Sequence, residues 1–224
     1  MGAFINGGLI ILGAFIGQII GKYLKEEINQ QLYKAMGLAV IYIGVSSMLK
    51  MQSTLNLLLS MAIGTLIGAL LDLDGKIVKL GNKIQQHFSS SNPIAVGFVN
   101  ATLLFCVGGM AIVGAFNDGL SNDYSTLLLK GIIDAIAAIV FTAQYGKGVY
   151  FAGILVIIYE GSLTLLASLL SPILTEYAIS QLSAVGGLVL LAVGLNMCDI
   201  SKFNVMNLVP SIFVSVLVAV LFNF

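Results

Sequence analysis

Arginine is absent from this sequence, histidine occurs once, at His87, and cysteine twice, at Cys106 and Cys198. Charged residues make up only 9% of 224 positions, against about 25% in an average soluble domain. Each shortage excludes something. Ten lysines balance ten acids, so no net positive charge recruits nucleic acid, and no large basic patch is offered to a membrane surface. Cysteines in or beside apolar runs behave as small hydrophobes, and His87 has no second His or Cys nearby, which makes it a solvated side chain. Neither HExxH, nor a phosphate-cradling P-loop, nor a Cys/His cluster occurs. The chain is therefore read as no enzyme and as needing no cofactor, while metal binding stays open.

Apolar residues fill the space left by charge: 58% of the chain is hydrophobic and the mean hydropathy is +1.04. This composition belongs in lipid. A hydrocarbon core of about 30 Å takes about 20 apolar residues of helix, and such runs lie near 3–20, 33–49, 54–71, 94–116, 125–143, 148–170, 181–197 and 207–223. The fold class expected is an all-α polytopic membrane protein of about eight transmembrane helices, forming a single domain over 1–224. The first run has no lysine before it, with Lys22 and Lys25 behind it. That reverses the charged start of a signal peptide, so the run is expected to stay as a span and the whole chain to be mature.

The longest polar connection, 72–91, reaches Pro93, which restarts the chain into the fourth span. Ile77, Leu80 and Ile84 give its 76–88 stretch the spacing of an amphipathic helix lying at the interface. Eight spans place Lys22, Lys25, Lys34, Lys76, Lys79, Lys83, Lys147 and Lys202 on one side and only Lys50 and Lys130 on the other. The lysine-rich side faces the cytoplasm. Both termini are therefore expected outside, with the 72–91 connection in the cytoplasm.

Residues 24–48 laid over 174–198, at an offset of 150, match Glu26/Glu176, Gln31/Gln181, Gly37/Gly187 and Gly44/Gly194. At 151 the match continues with Asn56/Asn207 and Ser60/Ser211. Leucine matches are cheap in this composition, so the polar and glycine pairs carry the evidence. They describe an inverted three-helix repeat, spans 1–3 (1–71) and spans 6–8 (146–224), flanking spans 4–5 (92–145). A second copy beginning five spans later enters the membrane from the opposite face. Inverted repeats recur in secondary transporters, whose halves rock around a site near the midplane.

Asp134 and Glu160 interrupt two of the apolar runs near their middles. An Asp at mid-span costs on the order of 2.5–3.5 kcal/mol, so each acid needs a polar partner, a proton or water. Lys130, Asp134, Ala137, Ala138 and Thr142 share one helical face; Gly153, Glu160, Thr164, Ala167 and Ser168 share another. Both suit a cavity or a helix contact, not lipid. Either the acids bind a proton or sodium ion, or Asp134 pairs with Lys130 and Glu160 is hydrogen-bonded across helices; Lys130 could also snorkel outward. A short Gly146-Lys147-Gly148 turn should set the two acids at one height. Asn100, and less so Thr102 and Asn6, could coordinate a cation or bridge helices. Gly108-Gly109 and Gly186-Gly187 mark helix breaks or close packing, whereas Gly13/Gly17/Gly21 and Gly64/Gly68 read as helix-contact grooves with a homodimer seam as the other option. Asn117-Asp118-Gly119 reads as a solvated turn.

Phe98-Val-Asn-Ala-Thr-Leu-Leu-Phe-Cys-Val-Gly-Gly-Met-Ala-Ile-Val-Gly-Ala-Phe-Asn-Asp-Gly-Leu120, with Lys130-Gly-Ile-Ile-Asp134 and Gly146-Lys-Gly-Val149, resembles the bacterial YqgA/YdfK family of multi-spanning inner-membrane proteins. The resemblance implies a bacterial cytoplasmic membrane location and supplies no substrate or catalytic residue. The function expected is an ion-coupled (proton or sodium) secondary transporter or permease. Its partners would be the lipid bilayer, a small solute and a coupling cation bound through Asp134, Glu160, Asn100, Thr164 and Lys130. The alternative is a non-transporting scaffold or regulatory membrane protein.

Overall fold

The computed structural model describes residues 1–23, 25–76, 79, 94–106 and 109–222. Eleven helices are named below: α1 Gly2–Gly21, α2 Glu26–Met48, α3 Thr54–Leu70, α4 Ile94–Cys106, α5 Gly109–Ser121, α6 Ser125–Tyr145, α7 Gly148–Leu165, α8 Ala167–Leu170, α9 Glu176–Met197, α10 Val205–Leu208 and α11 Pro210–Phe222. The described residues contain no strand. The 76–88 amphipathic helix expected from the sequence falls almost wholly outside the described residues, as do His87, Pro93 and Gly108.

Local signals set the helix ends. Ser53 caps α3 by accepting from Asn56 N at 3.3 Å, and Thr175 caps α9 by accepting from Ala178 N at 3.2 Å. Gly146, at φ 67, closes α6 in a conformation that other residues resist. Pro210, with its preset φ, opens α11. The last span expected over 207–223 is accordingly two pieces, and the run expected to 170 breaks at Leu166 between α7 and α8.

α1, α6, α7 and α9 are each long and apolar enough to cross a membrane, and α4 with the Met110–Ser121 part of α5, bent by 59°, makes a fifth candidate. Thr54–Leu70 and Val205–Leu221 are apolar but shorter. Their exteriors are those of lipid-facing helices. In α1 the buried positions include Gly2, Asn6, Gly7, Gly13 and Gly17, while Phe4, Leu12 and Phe15 are exposed. In α3, Asn56, Ser60, Gly64 and Gly68 are buried and Leu58, Leu66 and Leu70 exposed. A helix of a water-soluble protein presents the opposite arrangement.

Two compact units form. The first holds α1, α2 through Met36, α4, α5 from Met110, α6 and α7; the second holds α2 from Gly37, α3, and α9 to α11. In the first unit Gly13, Gly17 and Gly21 of α1 lie against the backbone of Ala135, Ile139 and Ala143 of α6, and Gly7 against Gly153 and Ile157 of α7. In the second, α2 crosses α9 antiparallel, with Gly37 against Gly194 and Gly44 against Gly187, and α3 packs on α11 with Gly64 against Ser211 and on α10 with Gly68 against Asn207. The grooves read from the sequence at Gly13/Gly17/Gly21 and Gly64/Gly68 are thus filled by helices of the same chain. Gly186-Gly187 does not break α9, which runs through both residues.

Candidate functional site

Three of the ionisable side chains buried within the first unit lie together. Lys130 and Asp134, one turn apart on α6, pair through Nζ and Oδ2. Lys130 Nζ also lies 3.7 Å from Glu160 Oε1 on α7. From α1, Asn6 Nδ2 donates to that same Oε1 at 2.7 Å. Asn6 and Glu160 are 0% exposed, and Lys130 and Asp134 6%. Lys130 does not snorkel: an ammonium paired with carboxylates gains more by turning inward than a long side chain gains by reaching water through lipid.

Small residues make this convergence possible. Gly7 lets α1 close on α7, and a Cβ added at Gly131 would lie 3.0 Å from Asn6 Cα and 3.4 Å from Asn6 Oδ1. The acids reach one level because α6 and α7 are joined by the tight Gly146 turn. Several buried oxygens of the first unit have no hydrogen-bond partner, Asn6 Oδ1 and Glu160 Oε2 within the cluster and Thr164 Oγ1, Thr102 Oγ1 and Thr142 Oγ1 beyond it. Cys106, a free thiol at the end of α4, is an electrostatic neighbour of Lys130, Glu160 and Asp134.

Asp134, Glu160 and Lys130 are therefore brought together, with Thr164 one turn beyond Glu160 on the same helix. Asn100 is not with them. Its Nδ2 donates to Tyr145 Oη at 2.9 Å, and Tyr145 is placed about 16 Å along α6 from Asp134 by a rise of about 1.5 Å per residue. Tyr145 also stacks edge-on with Tyr33, with ring centroids 5.1 Å apart. Asn6, which the sequence offers only weakly, belongs to the cluster.

Asp118 corrects a second reading, since it is no solvated turn. It lies inside α5, 5% exposed, and its Oδ2 accepts from the Met1 amino group at 3.0 Å and from Gly2 N at 2.8 Å. A carboxylate at the start of α1 satisfies amides that have no partner within the helix. Among the described residues no group of three or more His, Cys, Asp or Glu is placed to hold a metal ion.

With one cation, two carboxylates and an amide, the cluster has one more acid than base. Such a set in an apolar surrounding can take up one positive charge and release it, and the residues that would do so come from three helices.

Residues 1–220 match the family model described as a protein of unknown function, DUF554. The chain is similar to the uncharacterized membrane protein YdfK of Bacillus subtilis (strain 168), 34% identical over 217 residues, covering 95% of this chain and 93% of the relative. It is also similar to the uncharacterized protein YqgA of Escherichia coli (strain K12), 32% identical over 218 residues, with 95% and 93% covered. No solved structure matches.

Proposed function

Starting from a chain that belongs to the DUF554 family, we propose that it is an ion-coupled secondary transporter or permease for a small solute, with a proton or sodium ion as the coupling particle. The observation that carries the reading is the buried Asn6, Lys130, Asp134 and Glu160 cluster, whose single excess acid requires a countercharge. Ionisable residues inside an apolar bundle are expensive, and a site that alternates between loaded and empty accounts for keeping them. No catalytic chemistry is assigned to the acids.

Eight spans built as an inverted repeat belong to the same proposal. Gly37 and Gly44 are equated with Gly187 and Gly194, and the pairs meet in exchanged order, Gly37 with Gly194 and Gly44 with Gly187. A two-fold axis through the α2/α9 crossing would produce this exchange. Within the first unit, Gly7 meets Ile157, again at an offset of 150. The membrane is taken to be the bacterial cytoplasmic one, with both termini outside. Because Lys130 is buried, it does not vote on orientation, and the lysine count becomes eight to one. Contacts within each unit support alternating spans: Tyr150 Oη donates to Gln18 Oε1 at 2.8 Å, joining two ends assigned to the cytoplasmic side.

Reconstitution into liposomes with pH- and sodium-sensitive dyes tests the function. The expected result is proton or sodium movement down an imposed gradient, lost in Asp134→Asn and Glu160→Gln. Liposomes that stay tight to both ions under either gradient would leave the scaffold or regulatory alternative as the better account.

A further inference from the structure

Asn6 and Glu160 share one good hydrogen bond and leave one pair of atoms unsatisfied. Asn6 Nδ2 donates to Glu160 Oε1, while Asn6 Oδ1 and Glu160 Oε2, both buried, have no partner. Both orphans are acceptors when the carboxyl is ionised, so no rotation of either group pairs them. Turning the amide would only set Oδ1 against Oε1. One added proton resolves the mismatch, because a carboxylic acid and a primary amide are complementary along an edge.

We infer that Glu160 is the proton carrier of this protein and that Asn6 holds it in the loaded state, closing a two-hydrogen-bond ring in which Asn6 Nδ2–H donates to Oε1 and Glu160 Oε2–H donates to Oδ1. Loading adds one proton from water to Oε2, leaving neutral Glu160 beside the Lys130–Asp134 pair. Release returns that proton to water and leaves one net negative charge. The ring then loses its second bond, and Lys130, 3.7 Å from Oε1, is placed to take Glu160 as a second partner. Proton binding is thereby linked to the contact between α1 and α7.

Sodium fits these atoms less well. Oε1 is already engaged by Asn6 and near Lys130, Asp134 Oδ2 is paired with Lys130, and a metal ion at Oε2 would sit close to the Lys130 ammonium. Hard cations need several free oxygens at once, whereas a proton needs one. The other titratable groups around Glu160 are Lys130 and Asp134 on α6, Cys106 on α4 and Tyr159 on α7 itself. α1 contributes none among its side chains.

The inference rests on the transport reading for what the proton does, but its occupancy can be measured separately. Infrared pH-difference spectra of the full chain in lipid should show a protonated-carboxyl C=O band that is absent from Glu160→Gln and shifted to higher frequency in Asn6→Leu. Glu160→Gln keeps the ring as an amide–amide pair and so should fold even if Asn6→Leu does not. Survival of the band in Glu160→Gln, or its disappearance from the native protein on adding sodium chloride at constant pH, would overturn the inference. A band with tight liposomes removes transport and keeps the proton site; flux without a band does the reverse.

Discussion

Gly44 and Gly187 each occupy the space the other's Cβ would need: a Cβ at 44 would lie 2.7 Å from Gly187 O, and one at 187 would lie 2.6 Å from Gly44 O. With no water to exclude from between them, helices in a bilayer hold together by such close backbone approach.

Substituting Ala at either position should therefore lower the thermal unfolding midpoint in detergent, by a destabilisation of about 1–3 kcal/mol, because the obstruction is backbone and cannot rotate away. Gly8→Ala provides the contrast. Nothing lies within 4 Å of its added Cβ, so the helix-propensity gain of up to about 1 kcal/mol should leave stability equal or higher. Equal losses at all three positions would mean that the crossing is not what the glycines serve.

Removing Lys130 leaves two buried carboxylates without their cation, whereas removing Asp134 leaves Lys130 with Glu160 at 3.7 Å. Lys130→Met alone should cost about 3–5 kcal/mol and Asp134→Leu alone less, whereas Lys130→Met combined with Asp134→Leu should recover most of the loss. Denaturation of the four proteins in one detergent completes the cycle. Additive losses would show that the two side chains do not act as a pair.

Lys130, Asp134 and Glu160 stand out in the sequence because a charge inside an apolar run has no cheap alternative to a partner. Their common height also follows from counting residues to the Gly146-Lys147-Gly148 turn. Asn6 is harder to single out, since a neutral amide within a span bridges helices in many ways, and its choice of Glu160 depends on an α1/α7 crossing that local pattern does not encode. Asp118 misleads for a definite reason. Asn-Asp-Gly is turn chemistry, and the groups that overrule it, the Met1 amine and Gly2 N–H, lie 117 and 116 residues away. The long apolar helices are legible from composition alone, whereas the break at Leu166 has no Gly or Pro beside it to announce it.

Orientation is open to a direct test. A reporter fused at the C-terminus should be active only if it works on the external side of the cytoplasmic membrane, and one fused in the 72–91 connection only if it works in the cytoplasm. An internal C-terminus would point to a miscounted span, with the bent α4/α5 pair the first to re-examine.

Asp74 ties the region after α3 to the start of α10, both in the second unit. Its Oδ1 accepts from Met206 N at 3.3 Å while its own N–H donates to Asn207 Oδ1 at 3.0 Å. Asp74→Ala should cost about 0.5–2 kcal/mol as a lost helix cap, and Asp74→Asn much less, since the amide oxygen still accepts. Hydrogen exchange at Met206 N–H reports the cap directly: protection unchanged in Asp74→Ala would dismiss it.

The backbone-on-backbone groove of Gly13, Gly17 and Gly21 against Ala135, Ile139 and Ala143 also determines what can move. At these three positions backbone meets backbone, so no rotamer change there can ease a slide, although Leu9 against Gly131 and Leu127 against Gly2 add side-chain contacts nearer the start of α1. α1 and α6 are therefore closely locked at this level, with Asn6, Lys130 and Asp134 on the locked pair. The contact of α1 with α7 has one close backbone approach, Gly7 against Gly153, and otherwise runs through the side chains of Ile10, Ile11 and Ile157, which can repack. Under the transport reading proposed above, α7 is then the helix with more room to shift against α1, and Glu160 is the member of the cluster that it would carry.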